Sequence, residues 1–315
     1  MARVFVTRRI PGDALERLAT EHQVDVWEGR LQPSHAKLVE KARDAEGLLC
    51  LLTDRIDRDV IACCQNLRVI SNYAVGVDNV DVEAATERGI PVGFTPDVLT
   101  EATADATFGL LMACARRVVE GDDVVRAGRW LTWEPTLLLG QGVHGKTLGI
   151  VGLGRIGKAV AARAEGFGME VIHHGKSSGV PLEELLERSD FVSLHVPLSD
   201  ATRGMIGEAE LKRMKPTAIL VNTSRGGLIE TSALIRALES GWIAGAGLDV
   251  TDPEPVPRGH PLLAAPNLIV NPHIASASIE ARTAMSDLAV DNLLAGLAGE
   301  PMPKCFNAET LAARL

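Results

Sequence analysis

The stretch KTLGIVGLGRIGKAVA constrains the fold of this chain more than any other. A β-branched apolar run leads straight into Gly152, Gly154 and Gly157, and a helical pattern follows at once. Glycines at this spacing permit a tight strand-to-helix turn, close approach of backbone to a pyrophosphate, and close packing of the helix on the strand. The helix N-terminus, with its unpaired N–H groups, favours the anion. A strand–turn–helix of this kind belongs to a doubly wound parallel sheet that binds a dinucleotide, and the alternative reading is a tight turn alone.

The rest of the chain repeats the alternation of short apolar runs with amphipathic helical stretches, so the expected class is α/β. One series of expected strands runs through Val4–Thr7, Val24–Trp27, Gly47–Leu52, Val69–Ser71 and Ile90–Phe94. A second begins at Leu148 and continues through Glu170–His173, Phe191–Val196, Ala218–Asn222, Ala246–Asp249 and Leu268–Asn271. Two series imply two sheets, which suits 315 residues at about 150 per domain. Between them, Thr100–Val119 reads as one helix, apolar on nearly every face, which needs more than one partner to bury it. It is expected to pack on its own domain and on another subunit, in a homodimer. A last helix, Ala281–Gly296, can carry the chain back to the first domain. The expected organisation is therefore a substrate domain of residues 1–97 and 281–315 with a dinucleotide-binding domain, 98–280, inserted in it.

Charge and cysteine usage narrow the partners. A net charge of −9 and a pI near 5.4 argue against nucleic acid or an anionic membrane. No run approaches the roughly 18 apolar residues of a membrane span, and the start lacks the apolar segment of a signal peptide before Arg8 and Arg9. Cys50, Cys63, Cys64, Cys114 and Cys305 form neither C-x-x-C nor a zinc-ligand spacing, so no metal and a reducing, cytoplasmic setting are expected.

Three residues follow apolar strands of the second series with complementary chemistry. Arg225, in ILVNTSRGGLI, can bind a carboxylate with its planar fork and polarise a carbonyl. His273, in NLIVNPHIASAS, can give a proton to a forming hydroxyl, and Glu254, in DVTDPEPVP, can pair with that imidazole. Each alone has a plain structural reading; together they suit hydride reduction of a 2-oxo acid. At the end of the expected second strand of the dinucleotide unit, MEVIHHGKSSG, the usual ribose-binding acid is missing. Gly175, Lys176, Ser177 and Ser178 stand there instead, a set that suits a 2′-phosphate and so NADP(H) over NAD(H); the alternative is a polar turn.

Over nearly its whole length the chain resembles the D-isomer-specific 2-hydroxyacid dehydrogenase family, and within it the glyoxylate/hydroxypyruvate reductases. The resemblance is carried by NYAVGVDNVDVEAATERGIPV, TPDVLTEATADATFGLLMACARR, VGLGRIGKAV, NTSRGGLIE, AGAGLDVTDPEPVPRGHPLL, NPHIASAS and NLLAGLAGEPMP. It implies a Rossmann domain inserted into a flavodoxin-like substrate domain, and NAD(P)H-dependent reduction of glyoxylate or hydroxypyruvate. It implies Arg225 as the substrate-binding arginine, Glu254 as the partner of the histidine and His273 as the proton donor. Val75 and Gly76 resemble a backbone cradle for the substrate carboxylate, Leu52 lies in a loop lining the same pocket, and Trp133 is similar to a tryptophan that reaches the neighbouring subunit's site. Cofactor contacts implied in the same way are Thr103, Arg155, Ile156, Val196, Pro197, Thr202, Thr223, Ser224, Asp249 and Ser276, besides the glycine turn, Lys176, Ser177, Arg225 and His273. Between Lys176 and Leu182 the chain is shorter than most relatives. The rival readings are 3-phosphoglycerate or another D-2-hydroxyacid dehydrogenase, and a non-catalytic nicotinamide-sensing corepressor. A phosphoglycerate enzyme needs phosphate-binding cations and often a further domain, and a corepressor usually carries disordered tails; neither is evident in the sequence.

Overall fold

The computed structural model describes residues 1–313, which fall into two compact units: 1–99 with 278 onward, and 100–277. The first unit holds five strands, β1 (Arg3–Val6), β2 (Gln23–Val26), β3 (Gly47–Leu51), β4 (Val69–Tyr73) and β5 (Val92–Gly93). All pair in parallel, in the order β2-β1-β3-β4-β5. Helices α1 (Ala14–Glu21), α2 (His35–Ala42), α3 (Arg58–Cys63) and α4 (Val82–Glu87) make the crossovers. Several start on side-chain caps: Ser34, Asp57 and Asp81 accept from the N–H of Lys37, Val60 and Ala84, satisfying donors that a first turn leaves unpaired.

The second unit opens with α5 (Thr100–Ala115) and α6 (Val118–Arg126). It continues as β6 (Thr147–Val151), α7 (Arg155–Gly166), β7 (Glu170–His174), α8 (Leu182–Arg188), β8 (Phe191–Leu194), α9 (Glu208–Arg213), β9 (Ile219–Asn222), α10 (Thr231–Glu239), β10 (Gly245–Leu248) and β11 (Leu268–Val270). Its six strands are parallel, in the order β11-β10-β9-β8-β6-β7. The order reverses between β6 and β8, and such a switch point is where open α/β sheets hold ligands at the carboxyl ends of their strands. Near-continuous apolar runs such as Phe191–Leu194 and Ile219–Asn222 are buried on both faces, as a covered parallel sheet requires. The expected class, two doubly wound parallel-sheet units, is what the chain forms.

The chain then enters α11 (Ile279–Ala298), capped by Ser278, and ends its described part in α12 (Ala308–Ala312). α11 lies on the first sheet. Gly296 allows the close approach, since a Cβ there would stand 2.4 Å from Val69 Cγ2.

The Thr100–Val119 helix differs from expectation in two ways. It stops at Ala115, because the Ala115 carbonyl that would accept from Val119 N takes the N–H of Gln141 at 2.7 Å, and Arg117 turns left-handed at φ 53°. Nor is it apolar all round. Phe108, Leu110 and Leu111 are buried within the unit, while Glu101 and Asp105 lie on an exposed strip and pair with Arg163 of α7. A second subunit is therefore not needed to bury α5. Several of the large apolar side chains left exposed follow it closely, among them Val118, Val125, Trp130, Leu131, Trp133 and Leu139.

Candidate active site

The three glycines of the turn after β6 have different tasks. Gly152 adopts φ +98°, and a Cβ on it would meet the His195 carbonyl at 2.7 Å. At Gly157 a Cβ would overlap the Gly152 carbonyl at 2.2 Å, so only glycine lets α7 pack this closely. Gly154, the N-cap of α7, is in ordinary extended backbone, and among the described residues no atom beyond its own chain neighbours lies within 4 Å of where its Cβ would be. Its open side borders the N-terminus of α7, where Arg155 and Ile156 begin the helix. These residues fit a dinucleotide: the turn leaves room for a phosphate beside N–H groups that favour an anion.

Beyond the turn, His174 O at the end of β7 accepts from Gly152 N at 2.8 Å. The short connection that follows folds back on its own strand. His174 Nδ1 donates to Val180 O at 3.0 Å, and Val180 N donates to His173 O at 2.9 Å. Gly179, at φ +92°, sits where a Cβ would be 2.0 Å from His173 O. Lys176, Ser177 and Ser178 are left exposed between these two fixed ends.

After β8, Val196 packs a methyl group against Gly152, and the Thr202 hydroxyl closes the next turn, donating to Pro197 O at 2.7 Å and accepting from Ser199 N at 2.8 Å. After β9, Ser224 Oγ donates to Val196 O at 2.6 Å, tying the ends of neighbouring strands together. Thr223 is buried with its hydroxyl 2.8 Å from that of Thr107, and Thr103 is buried one turn away on α5. Ser276 is half-buried and Trp133 is 77% exposed. In the first unit, half-buried Leu52 follows β3, and half-buried Val75 and Gly76 follow β4.

Arg225, Glu254 and His273 follow β9, β10 and β11 at the carboxyl edge of the second sheet. His273 Nδ1 lies 2.6 Å from Glu254 Oε1. A carboxylate can only accept, so Nδ1 is the donor of that bond and Nε2 is the nitrogen turned to other chemistry. Burial pushes the Glu254 carboxyl up, but the His273 bond and charge, the Thr251 N–H and the Arg225 charge together hold it below its ordinary value. Arg225 donates from Nη1 to Ser224 O at 2.9 Å.

Two residues shape this edge in ways that motif reading did not reveal. Asn222, fully buried, donates to Arg225 O at 2.8 Å and accepts from Ser224 N at 3.0 Å, fixing the turn that carries Arg225. Asp249 was expected to touch the cofactor, and its carboxylate is occupied by the backbone: Ile274 N and Ala275 N each donate to it at 2.8 Å, while Asp249 O takes His273 N at 2.9 Å. That clasp holds His273 at φ +56°, a left-handed conformation that a non-glycine residue keeps only when its surroundings enforce it.

A family model described as D-isomer specific 2-hydroxyacid dehydrogenase, NAD binding domain, matches residues 108–275, more than half of the chain. The chain belongs to the D-isomer-specific 2-hydroxyacid dehydrogenases. A protein of Korarchaeum cryptofilum named glyoxylate reductase is 51% identical over 324 aligned residues, which cover 99% of this chain and 98% of that protein. Among solved structures of this dehydrogenase fold, a Thermus thermophilus protein superposes with a TM-score of 0.93 at 51% identity, covering 96% of this chain and 99% of its own. An NADPH-dependent glyoxylate/hydroxypyruvate reductase of Sinorhizobium meliloti, solved with citrate, gives 0.85 at 35% identity, covering 98% of this chain and 99% of its own. An NAD(P)-dependent oxidoreductase acting on 2-hydroxy acids is what this dehydrogenase family and the sheet edge have in common. Among the described residues no helix is long and apolar enough to cross a membrane.

Proposed function

We propose that this dehydrogenase reduces small 2-oxo acids, glyoxylate and hydroxypyruvate foremost, to D-2-hydroxy acids, with His273 as the proton donor. The observation that carries the reading is the 2.6 Å bond from His273 Nδ1 to Glu254. It leaves Nε2 as the ring nitrogen that can carry the proton to be transferred once the ring is cationic, on the sheet edge where the glycine turn also lies. The relatives named glyoxylate reductase support the substrate class; nothing comparable favours the phosphoglycerate or corepressor readings.

When bound, the nicotinamide supplies the hydride. The chain's own groups handle the charge that hydride transfer creates on the carbonyl oxygen. Arg225 polarises that carbonyl and binds the substrate carboxylate, with the backbone of Val75 and Gly76 and the Leu52 loop as further substrate contacts. His273 Nε2 delivers a proton to the forming alkoxide, and the ionised Glu254 carboxylate orients the ring and stabilises its cationic form. Asp249 and Asn222 hold His273 and Arg225 without touching substrate.

For the cofactor, NADPH is preferred and NADH accepted. Exposed Lys176, Ser177 and Ser178 offer a charge and hydroxyl donors to a 2′-phosphate where an acid would repel it. The working form is a homodimer joined over the exposed apolar run from Val118 to Leu139, with Trp133 completing the partner's substrate pocket. Its five cysteines are all free thiols, in keeping with the reducing cytoplasm. Initial rates for a panel of 2-oxo acids with NADPH and NADH in parallel test the whole reading. Glyoxylate and hydroxypyruvate should lead, with kcat/KM about tenfold higher for NADPH. A protein that binds NADPH yet turns over no 2-oxo acid would refute it.

A further inference from the structure

At the carboxyl edge of the first sheet lies a polar cluster that the reaction described above does not use. Asn72, next to last in β4, is fully buried. Its Nδ2 donates to Gly76 O at 2.9 Å and to Asn79 Oδ1 at 2.9 Å. Asn79, half-buried just past the Val75–Gly76 turn, directs its own Nδ2 at Leu51 O and Asp54 O, each at 3.0 Å. Both are carbonyls that can only accept, which fixes the orientation of the amide. Asp54, 3% exposed, closes the Leu52 loop from the other side: its carboxylate accepts from Leu51 N at 2.7 Å and from the Thr7 hydroxyl at the end of β1. Ile56 N also donates to Asn79 O at 2.9 Å.

Two side-chain amides thus join two backbone segments that follow different strands. One is the Val75–Gly76 turn, tied through the Gly76 carbonyl. The other is the loop from Leu51 to Asp54, which carries Leu52. We propose that Asn79, backed by Asn72, is a positioning residue for the substrate: it sets the spacing between the Val75–Gly76 backbone and the Leu52 loop, and with it the fit of a short 2-oxo acid. The proposal rests on the reading of Val75 and Gly76 as the carboxylate cradle. If the amide is lost, the turn and the loop are free to drift apart. A displacement of about an ångström lengthens the cradle's contacts with the carboxylate, a loss of binding that shows in KM more than in kcat. Chain-length discrimination weakens with it, because rejecting one extra methylene depends on a wall that cannot move.

The test compares Asn79→Asp, which keeps the shape but removes both donors, with Asn79→Ser, which removes the reach. KM and kcat are measured for glyoxylate and for 2-oxobutyrate at saturating NADPH, with NADPH affinity by fluorescence and the melting temperature alongside. The expected result is a KM for glyoxylate raised about tenfold or more, kcat changed much less, a glyoxylate-to-2-oxobutyrate preference that falls, and unchanged NADPH affinity. A lower melting temperature or a smaller active fraction, with KM and the substrate ratio as in the wild type, would show that the amides only hold the fold. Val75→Pro, which deletes a cradle N–H, separates the two ideas. If it leaves KM unchanged, the cradle reading fails; if it raises KM while both Asn79 variants do not, the positioning role alone is wrong.

Discussion

Gly154→Ala should separate cofactor binding from folding in a way that its two neighbours cannot. Gly154 sits at φ −79° and ψ −159°, backbone open to any residue, and among the described residues no atom beyond its chain neighbours lies within 4 Å of the new Cβ. Removing a glycine from such a position changes stability by about 1 kcal/mol at most, and often for the better, because the unfolded chain loses freedom. For a domain of this size that is a shift of about 2–4 °C. Gly152→Ala combines a positive φ with a Cβ 2.7 Å from a backbone carbonyl, and Gly157→Ala puts a Cβ 2.2 Å from another. Neither oxygen belongs to a flexible side chain, so strain and overpacking together should cost about 3 kcal/mol or more at Gly152 and about 1–3 kcal/mol at Gly157. Binding should show the contrast. The methyl group at residue 154 projects into the space open for phosphate, and losing even 1.4 kcal/mol there raises the NADPH Kd about tenfold. Thermal unfolding by circular dichroism and titration of NADPH fluorescence give both quantities for all three variants. Unaltered NADPH affinity in Gly154→Ala, or a melting temperature as low as that of Gly152→Ala, would refute the assignment of the open side to the cofactor.

Four further outcomes are expected. His273→Ala should lower kcat by about 10²–10⁴ with NADPH affinity intact; equal loss of both would indicate misfolding. The Glu254 carboxyl is held below its ordinary 4.5, so its pairing stabilises the fold above about pH 4.5 and is lost as pH falls through the lower folded value. The melting-temperature gap between wild type and Glu254→Gln should accordingly shrink in acid, as pH falls below about 4.5 and through the lower folded value; a gap that persists there undiminished would remove the pair from the account. Lys176→Ala should reduce the NADPH-to-NADH ratio of kcat/KM by about tenfold at low salt and by less at moderate salt, and an untouched ratio would make the connection a mere polar turn. Leu131→Glu, at a side chain 90% exposed in the isolated chain, should yield a monomer in sedimentation, whereas a dimer as tight as wild type would place the interface elsewhere.

How much of this was legible in the sequence depends on whether the signal was local. Strand runs such as Val69–Ser71 and Phe191–Val196 declare themselves because the strands of a covered parallel sheet are mostly apolar. The glycine turn is legible because backbone overlap excludes every other residue at Gly152 and Gly157. Arg225, Glu254 and His273 stand out because each follows such a run. The break at Ala115 was hidden, since the residue that captures its carbonyl, Gln141, lies 26 positions on (141 − 115) and nothing in ACARRVVE marks a stop. The Asp249 clasp was hidden for a related reason. The family resemblance implies Asp249 as a cofactor contact, and only the fold shows that its carboxylate also accepts from two N–H groups of the His273 loop. Asn72 and Asn79 look like ordinary turn residues until β3 is brought beside β4.

The short connection from His174 to Val180 has a consequence for how cofactor choice can change over time. Its ends are moored to the framework, one by the bonds of the His173 carbonyl and the His174 side chain with Val180 and the other by a glycine that no other residue can replace without moving a carbonyl. The three positions between them, Lys176, Ser177 and Ser178, face solvent. They form an exchangeable cassette, in which an acid can replace a cation without disturbing the sheet that carries the chemistry. On the proposed reading of these residues as the contacts of a 2′-phosphate, cofactor preference is uncoupled from folding stability, so a lineage built on this framework, or a protein engineer, would switch between a phosphorylated and an unphosphorylated reductant by surface substitutions alone.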